Sequence, residues 1–574
     1  MQKRWLVKTP KPGTVIDTFR STLKVDPIVA ELLLQRGIDN FDDAERFFRP
    51  KLSELHDPFL MQDMERAVER LQEAIDLQQR VLLFGDYDVD GTTAVAVMYT
   101  FLKDTLPVEF YIPDRYAEGY GLSTKGIDFA EEHGVQLMIT LDCGIKSVDK
   151  VAYARSKGID MIVCDHHTPG EVLPDAIVLD PKRVDCAYPF KELSGCGVGF
   201  KLLQGLCERN NWSTAPLFEL LDLLAVSIGA DIVEVTGENR ILSYHGMQLL
   251  NQHPRLAFRE MLRLANREFP VTLTDVVFTI APRINAVGRL RSGMVAVRLM
   301  ISTDETEIKM LATELDEDNI QRRELDKSIT TEAIELLEAD VAHEDRCTTV
   351  VFSPVWHKGV VGIVASRLIE KWFRPTIVLT LSDGKITGSA RSVAGFDIHA
   401  AIQQCEDLLE QFGGHTHAAG LTLLPENLEV FQERFEQVVR AGILKESLVE
   451  LQEIDVELGF EEIFLPEEDR RKPPRLKRIL QQFEPHGPGN MKPVFVSRNV
   501  YSTEVRLLKE QHLKLSMAQP RNDVIMEGIG FNMLDKYDSV SAGIPFDIVY
   551  TLEANRWNGK ETLQLNIKDI REVV

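Results

Sequence analysis

The sequence lacks an apolar run long enough to span a membrane, which needs about eighteen residues. Its first residues, MQKRWLVKTPKPG, are basic but are not followed by an apolar stretch, so they do not form a secretory signal peptide. The chain also lacks internal repeats and low-complexity segments. These absences predict a cytoplasmic protein that does not bind membranes.

Cysteine is scarce, and its spacing indicates neither disulfides nor zinc. The chain has seven cysteines, an odd number, and none of them shows the short separations of a zinc site. Cys143 and Cys164 lie in apolar segments, where a thiol is an ordinary small core residue. We therefore expect reduced thiols, as in the cytoplasm.

Positive charge is also in short supply. The chain has 65 basic and 89 acidic residues, which gives a net charge of −24. This balance argues against loose coating of duplex DNA, which needs a basic face. A locally basic groove remains compatible with the total, because a cluster of acids at one site inflates the negative count.

The chain has 574 residues, enough for three or four domains, because single cores stop growing near about 250–300 residues. Strand and helix patterns alternate from 63 to 240, which predicts a doubly wound parallel α/β sheet. Helices follow, including a long helix over 303–340 whose charge run is typical of a solvated face. The later segments predict a smaller α/β domain and a β-barrel of about five strands that fits an OB-fold. The predicted domains are an N-terminal extension (1–62), an α/β domain (63–240), a helical connector (241–345), a second α/β domain (346–448) and the barrel (449–574).

Five short apolar runs in the first 231 residues are each followed by acidic or imidazole side chains. They are VLLFGDYDVDG (81–91), LMITLDCG (137–144), MIVCDHH (161–167), AIVLDP (176–181) and LLAVSIGAD (223–231). Each run predicts a buried strand, although the fifth also lies in a segment whose pattern predicts helix. The carboxyl ends of parallel strands meet along one crevice, where ligands bind. We therefore expect the following side chains to converge: Asp86, Asp88, Asp90, Asp142, Asp165, His166, His167 and Asp231.

Carboxylates packed this closely repel one another, and the usual remedy is divalent cations. A mixed set of carboxylates and imidazoles suits Mn²⁺ or Mg²⁺. Two such ions about 3.5–4 Å apart are a common device for hydrolysing phosphate esters. Asp142 is the natural carboxylate to bridge the two ions. The sequence thus predicts a two-metal phosphoesterase site.

Each motif taken alone has a structural alternative. The acids of GDYDVDG point to one side if the chain stays extended until Gly91 turns it into a helix. A calcium loop is excluded, because Val97 stands where the EF-hand pattern requires glutamate. DHH at 165–167 is otherwise a satisfied surface turn, and GAD at 229–231 is otherwise a helix C-cap. The presence of all these motifs along one crevice favours the metal site.

The order and spacing of DYDVDG, LDCG, DHH and GAD resemble the signature motifs of the DHH phosphoesterase superfamily. GSARS (388–392) and GGHTHAAG (413–420) resemble the associated DHHA1 domain. APRINAVGR (281–289) and PHGPGNMKPVF (485–495) narrow the resemblance to the bacterial single-strand-specific 5′→3′ DNA exonucleases of that superfamily. The resemblance extends over roughly residues 50–574.

The resemblance implies a metal centre built from carboxylates and one histidine, with a second histidine, His167, on the scissile phosphate. Many relatives carry a histidine ligand at the place that Phe84 occupies here, which makes Asp86 the candidate replacement. The implied ligands are Asp88, Asp90, Asp142, His166 and Asp231.

The resemblance also implies a set of substrate contacts. Arg115, Ser389 and Arg391 match positions that hold the 5′-terminal phosphate; Arg283, Asn285 and Arg289 match a substrate-contacting loop; Gly413, Gly414 and His415 match the grip on the departing nucleotide. Phosphate pockets use arginine forks, hydroxyls and close backbone approach, which these segments supply. The alternatives stay open: a glycine turn with a solvated histidine, and arginines that serve as structural ion-pair partners.

In the barrel, aromatic residues are candidates for stacking on bases, with core or edge positions as the alternative. They are Phe495, Tyr501, Phe531, Tyr550 and Trp557.

The implied enzyme binds single-stranded DNA and works with two Mn²⁺ or Mg²⁺ ions that activate water for in-line attack, while His167 and Arg289 neutralise the developing charge. It releases 5′-mononucleotides and acts in DNA recombination and repair, as a monomer, beside a single-strand DNA-binding protein and a helicase. A nanoRNA or cyclic-dinucleotide phosphodiesterase or a pyrophosphatase is the second hypothesis, which the barrel disfavours. A catalytically dead DNA-binding scaffold is the third, disfavoured because the metal motifs are intact apart from Phe84.

Overall fold

A computed structural model describes residues 3–464, 474–521, 523–557 and 560–573. Its backbone clusters into two compact units, one formed by residues 1–5 and 314–452 and the other by 6–313 and 453–574. In the described part of the chain, no helix is both long and apolar enough to cross a membrane. All seven cysteines carry free thiols.

The larger unit contains a parallel sheet whose central strands are buried on both faces. Its strand order is β3-β2-β4-β5-β6, and every pairing is parallel. This confirms the predicted doubly wound sheet. The elements up to this sheet are β1 (Arg4–Val7), α1 (Gly13–Leu23), α2 (Pro27–Gln35), α3 (Phe41–Phe48), α4 (Met64–Asp76), β2 (Val81–Gly85), α5 (Val89–Leu102), β3 (Val108–Tyr111), α6 (Thr124–Glu132), β4 (Leu137–Leu141), α7 (Val148–Ser156), β5 (Asp160–Cys164) and β6 (Ile177–Leu179).

The prediction of a strand over 223–231 is wrong. After α8 (Gly195–Asn210) and α9 (Ala215–Phe218), this segment forms the helix α10 (Leu221–Ala230). The helix packs against α5 and α8, so nearly all of its side chains are buried. A helix buried on all sides has no polar face, and its apolar run then reads like that of a buried strand. Asp231 therefore comes from a helix end.

The connector after α10 is helical, as predicted. The segment APRINAVGR is not a loop, however, because it lies inside one of these helices, which also accommodates Pro282. The predicted long charged helix is also present, as the last of the series. The helices are α11 (Gly237–Gln252), α12 (Leu256–Leu264), α13 (Leu273–Leu290), α14 (Met294–Ile301) and α15 (Glu305–Ala339).

The smaller unit carries a mixed sheet with the order β10-β11-β9-β8-β7, in which only β7 and β8 are parallel. The predicted strands and helix over 348–392 are confirmed. The elements are β7 (Thr349–Phe352), α16 (Val361–Lys371), β8 (Thr376–Ser382), β9 (Lys385–Arg391), α17 (Ile398–Gln403), β10 (Leu409–His415), β11 (Ala418–Leu423), α18 (Leu428–Gly442) and β12 (Leu451–Ile454), of which β12 reaches the boundary of the unit.

The C-terminal part is a closed five-stranded barrel, because β14 pairs with both β15 and β17. This confirms the predicted barrel. Its core also takes in side chains from the N-terminal helices, such as Phe19 and Leu33. The elements are β13 (Val456–Glu457), α19 (Arg475–Gln481), β14 (Phe495–Leu508), β15 (His512–Ala518), β16 (Met526–Gly530), α20 (Tyr537–Ser541), β17 (Phe546–Trp557) and β18 (Lys560–Glu572).

The proposed stacking aromatics of the barrel divide into buried and exposed residues. Phe495 and Tyr550 have no exposed surface, so they are core residues and not platforms for bases. Tyr501 is half-buried, and Phe531 is 51% exposed beside His512. The side chain of Trp557 lies outside the described residues. Among the candidates whose side chains are described, Phe531 and Tyr501 keep the exposure that stacking requires.

Candidate active site

The first acidic motif does not stay extended, as the sequence suggested, because α5 begins at Val89. Asp88 caps this helix and accepts a hydrogen bond from the Gly91 N–H at 3.1 Å, which satisfies an otherwise orphaned donor. Asp90 consequently lies in the first helical turn. A Cβ at Gly91 would come within 2.5 Å of the Asp86 backbone, so only glycine permits this close turn.

Asp90 is anchored by two other elements. Its carboxylate accepts hydrogen bonds from the Gly195 and Cys196 N–H groups at the start of α8, at 2.6 and 2.9 Å. The Ser227 hydroxyl in α10 donates a third, at 2.6 Å. A Cβ at Gly195 would lie 2.6 Å from the Asp142 Cβ, so this glycine lets the helix start reach the acids. These partners fix the side chain that α5 carries into the crevice.

The side chains that follow the parallel strands, together with Asp231 from the end of α10, form what is called the acidic edge below: Asp86, Asp88, Asp90, Asp142, Asp165, His166, His167 and Asp231. His166 lies at its centre. Its Nε2 atom is 3.2 Å from Asp142 Oδ1, 3.4 Å from Asp231 Oδ2 and 3.8 Å from Asp90 Oδ2. Two groups of ligand atoms, each within 4.8 Å of one another, share this histidine: Asp142 with His166 and His167, and Asp90 with His166 and Asp231. Each group offers the donor atoms that a metal ion could use, and the two groups meet at this histidine.

The donor chemistry of this edge fits divalent cations. Buried atoms of four side chains have no hydrogen-bond partner among the described residues: Asp86 Oδ2, Asp142 Oδ1, Asp231 Oδ2 and both ring nitrogens of His166. Burial, with added repulsion from Asp90, raises the pKa of Asp142 and Asp231 well above the usual carboxyl range. Unsatisfied buried polar atoms are costly, and a bound cation would relieve both the desolvation and the repulsion. Oxygen and imidazole donors are the set that Mn²⁺ and Mg²⁺ accept.

Asp165 directly follows its strand, as Asp142 does, but its carboxylate is hydrogen-bonded by the protein itself. It accepts hydrogen bonds from the N–H groups of Ile145, His166 and His167, and its Oδ1 lies 2.7 Å from His167 Nδ1. Burial alone would raise the pKa of Asp165, but the hydrogen bond and charge of His167 hold it at about 2. The same contact raises the pKa of His167 against the effect of burial. Asp165 therefore orients His167.

The Tyr120 hydroxyl lies 3.0 Å from His167 Nε2, so both ring nitrogens have a partner. The sequence analysis did not single out this tyrosine, although it lies close to Arg115 in the segment PDRYAEGYGL (113–122). It also missed Asp180, a fully buried carboxyl at the end of β6. Burial raises the pKa of Asp180 to about 7, with repulsion from Asp165 adding to the shift. The AIVLDP pattern was the signal that could have found it.

Phe84, which stands in place of the family's histidine, is a core residue stacked on Tyr111 with ring centroids 5.6 Å apart. It offers no ligand. Asp86 accepts a hydrogen bond from the Gly121 N–H at 3.2 Å and belongs to neither of the two groups of ligand atoms found among the described residues. Because its Oδ2 has no hydrogen-bond partner among the described residues, Asp86 remains a candidate metal ligand.

Two of the proposed substrate arginines lie beside the first acidic motif. The Arg115 guanidinium sits 4.8 Å from the centre of the Tyr87 ring. Arg289 lies in the last turn of α13, where a Cβ at Gly288 would approach the Tyr87 carbonyl to 2.8 Å. Both charges are thus next to the residue that separates Asp86 from Asp88.

Arg283 and Asn285 lie on the same helix. Arg283 is 8% exposed and donates a hydrogen bond to the Thr279 carbonyl at 2.7 Å, and Asn285 is half-buried. The helix brings Arg289 to the first motif, but Arg283 is already buried within the connector.

The remaining predicted residues lie in the smaller unit, and all of them except Gly414 share one face of its sheet. Across strands β9, β11 and β10, Arg391 pairs with Ala418, which pairs with His415. In the next row of paired residues on the same face, Ser389 pairs with Gly420, which pairs with Gly413. Residues in such rows share one face. The glycines leave this face bare: nothing lies within 4 Å of a Cβ at Gly413. Arg391 donates a hydrogen bond to the Ser389 hydroxyl at 3.1 Å. Gly414, at φ +145°, belongs to strand β10 and not to a turn.

Three family profiles match the chain. Residues 80–228 match the DHH family, N-terminal domain; residues 345–441 match the DHHA1 domain; and residues 454–569 match the RecJ OB domain.

Among curated proteins, the single-stranded-DNA-specific exonuclease RecJ of Bacillus subtilis is 35% identical over 573 residues, covering 99% of this chain and 70% of the relative. The exonuclease of the same name from Escherichia coli is 32% identical, covering 97% of this chain and 98% of the relative. Among solved structures, RecJ from Thermus thermophilus in complex with Mn²⁺ matches with a TM-score of 0.84 and 28% identity, covering 100% of this chain and 80% of that one. The complex of the same protein with Mg²⁺ matches with a TM-score of 0.77.

Proposed function

Because the chain belongs to the RecJ family of single-stranded-DNA-specific exonucleases, we propose a division of labour among its residues and a direction of cutting. The protein is a metal-dependent nuclease of the DHH type that acts on single-stranded DNA. The observation that carries the proposal is the pair of ligand groups that share His166. Both ring nitrogens of this histidine are buried and have no hydrogen-bond partner among the described residues.

Two divalent cations, Mn²⁺ or Mg²⁺, are the proposed cofactors. When bound, they supply Lewis acids that polarise the phosphodiester and help a water molecule to lose its proton. The carboxylates of Asp90, Asp142 and Asp231 and the His166 ring would hold them, and His167, beside Asp142, is left to contact the phosphate. Asp88 and Asp86 lie next to these groups, and they complete the proposed set of metal ligands.

The chemistry of this chain's own residues follows from their placement. His167, oriented by Asp165, donates a hydrogen bond to a nonbridging phosphoryl oxygen and opposes the charge that develops there. Arg289, with the neighbouring Arg115, adds positive charge on the side of Tyr87. Arg283 and Asn285 are proposed to position the strand along α13.

The bare sheet face of the smaller unit is the proposed seat of the terminal nucleotide. Gly413 admits close approach, His415 and Arg391 flank the surface with Ser389, and Gly414 is proposed to contribute through its backbone. Arginine forks and hydroxyls bind a terminal phosphate well. A pocket for a 5′-phosphate on this face would give 5′→3′ polarity and release 5′-mononucleotides.

Partners follow from the substrate. An enzyme restricted to single strands needs another protein to open a duplex, so we propose a helicase and a single-strand DNA-binding protein as partners, in recombination and repair. The location of bacterial DNA makes the cytoplasm the proposed compartment. We propose a monomer, which light scattering of the purified protein tests.

The test is digestion of a single-stranded oligonucleotide labelled at its 3′ end, with Mn²⁺, Mg²⁺ or EDTA. Shortening from the 5′ end that EDTA and Asp142→Asn both abolish supports the proposed metals and polarity. The matched control is Asp149→Asn, at an acid in the first turn of α7 that belongs to neither ligand group. Shortening from the 3′ end would overturn the polarity. Equal activity of Asp142→Asn would overturn the ligand assignment.

A further inference from the structure

A turn that precedes the barrel lies against the segment that leaves Asp231. This turn, residues 485–490 with the sequence PHGPGN, is called the clasp below. The Val235 N–H donates a hydrogen bond to the Pro488 carbonyl at 2.7 Å. Val235 is 1% exposed, so the contact is shielded from water. The clasp thus reaches, across about 250 residues of sequence, to within four residues of a proposed metal ligand.

The approach is so close that it requires glycine at two places. A Cβ at Gly487 would lie 2.4 Å from Val235 Cγ2, closer than any real Cβ contact. A Cβ at Gly489, where φ is +73°, would lie 2.7 Å from Thr236 Cγ2. The two glycines therefore fit the clasp onto the residues between α10 and α11.

The clasp is internally braced. Gly487 and Asn490 exchange two backbone hydrogen bonds, at 3.2 and 2.9 Å. The Asn490 amide, 2% exposed, donates to the carbonyls of Phe483 and Pro485 and accepts from Arg36 Nε at 2.9 Å. A turn held in this way resists displacement when a neighbour pushes on it.

The segment opposite the clasp is pinned at both ends and strained between them. The Asp231 N–H donates to the Ser227 carbonyl at 2.9 Å, and the Asn239 amide donates to the Glu234 carbonyl at 2.9 Å. Between these points Ile232 has a φ of +62°, which a β-branched residue rarely adopts. Such strain persists only where the surroundings over-determine the conformation.

We propose that the clasp is a positioning element for the metal ligand Asp231. By fixing Val235 and Thr236, it sets the path of the strained segment and so the place of the Asp231 carboxylate, 3.4 Å from His166 Nε2. Metal ligation tolerates deviations of only about 0.2 Å. The inference rests on the proposed function in one respect, the assignment of Asp231 as a ligand.

The test measures Mn²⁺ affinity by titration calorimetry on the full-length protein, without DNA. Gly487→Ala should weaken Mn²⁺ binding about tenfold. This is the lower end of the range of affinity losses seen when a group that supports a metal ligand is removed. Adding Val235→Ala removes the methyl group that the new Cβ would strike, so Gly487→Ala/Val235→Ala should regain most of the affinity. Unchanged affinity in Gly487→Ala overturns the inference, and so does a loss that Val235→Ala fails to restore.

A second pair of variants separates the contact from backbone strain. Gly489→Ala and Gly543→Ala place alanine at nearly equal angles, φ +73° and +72°, but nothing lies within 4 Å of a Cβ at Gly543. We expect weaker Mn²⁺ binding only in Gly489→Ala, and equal affinities would overturn the inference. Asp231→Asn serves as the reference. If it leaves Mn²⁺ affinity unchanged, the ligand assignment fails and takes the inference with it; if it alone weakens binding, only the inference fails.

Discussion

The acidic edge of the parallel sheet and the clasp both bury charged groups, but they satisfy them differently. At the acidic edge, Asp142, His166 and Asp231 have buried atoms without a hydrogen-bond partner among the described residues. Beside the clasp, the Arg240 guanidinium is 5% exposed and donates to the carbonyls of Phe47, Phe483 and Pro485. A buried charge that the protein itself satisfies is structural, whereas one left unsatisfied marks the place of a ligand. Four predictions test this contrast.

The largest effect should follow from His166→Ala, because this side chain belongs to both ligand groups. We expect kcat on single-stranded DNA to fall by about 10³-fold or more, since several kcal/mol of charge stabilisation depend on the metals. His133→Ala is the matched control, because the His133 ring packs on Phe129 and belongs to neither ligand group. Single-turnover digestion measures both variants. A His166→Ala enzyme with native kcat would contradict the two-group site.

Arg240→Met should cost about 3 kcal/mol of unfolding free energy, since it strands several buried carbonyls that the guanidinium satisfies. Arg209→Met is the control. Arg209 pairs with Glu65 and Glu69 at the surface with 43% of its side chain exposed, and such exposed pairs contribute little to stability. Urea unfolding of metal-free protein gives both values. Equal losses would show that the Arg240 site is not structural.

Sequence patterns located most of the acidic edge because it depends on a simple rule. Apolar runs of strand length followed by acids put Asp142, Asp165 and His166 at the carboxyl ends of adjacent parallel strands. The same rule failed at 223–231, where a helix buried on all sides imitates a strand. It also gave no means to separate Asp142, which is left unsatisfied, from Asp165, which three backbone N–H groups and His167 satisfy.

Contacts between distant parts of the chain were beyond sequence patterns. The partners of Asp90 at Gly195 and Ser227 lie more than 100 residues away, and no periodicity links them. The PHGPGN motif was visible, but its docking on Val235 depends on packing between the barrel's entry and α11. Such a fit is decided by the absence of a Cβ at Gly487, and only the folded structure shows what that Cβ would strike.

Adding metal should stabilise the protein through the acidic edge and not through the carbonyls that Arg240 satisfies. At a free Mn²⁺ concentration of about 100 times the dissociation constant, a single site adds about 2.7 kcal/mol to the unfolding free energy. The gain should be lost in His166→Ala, which removes a donor from both groups, and kept in Arg240→Met. Thermal unfolding with Mn²⁺ or EDTA measures the difference. A gain that survives in His166→Ala would place the stabilising ion elsewhere.

The smallest effect concerns pH and comes from His486 in the clasp. Burial, together with the charges of Lys492, Arg36 and Arg240, lowers the pKa of His486 to about 3 against the opposing effect of a hydrogen bond with the Asn490 carbonyl. The unfolded histidine, with a pKa of about 6.5, then binds more protons than the folded one between pH 6.5 and 3. Stability therefore falls as pH drops below about 6.5, by about 2 kcal/mol at pH 5 from this group.

His486→Asn removes this titration, so its unfolding free energy should fall less than that of the native protein between pH 7 and 5. Urea titrations at the two pH values, in EDTA, measure the two slopes while the acidic edge changes equally in both proteins. Identical slopes would mean that the imidazole is protonated in the folded clasp. The clasp would then contain a second buried positive charge, on His486, that no carboxylate among the described residues pairs with. The contrast between the clasp and the acidic edge would be weaker at this residue.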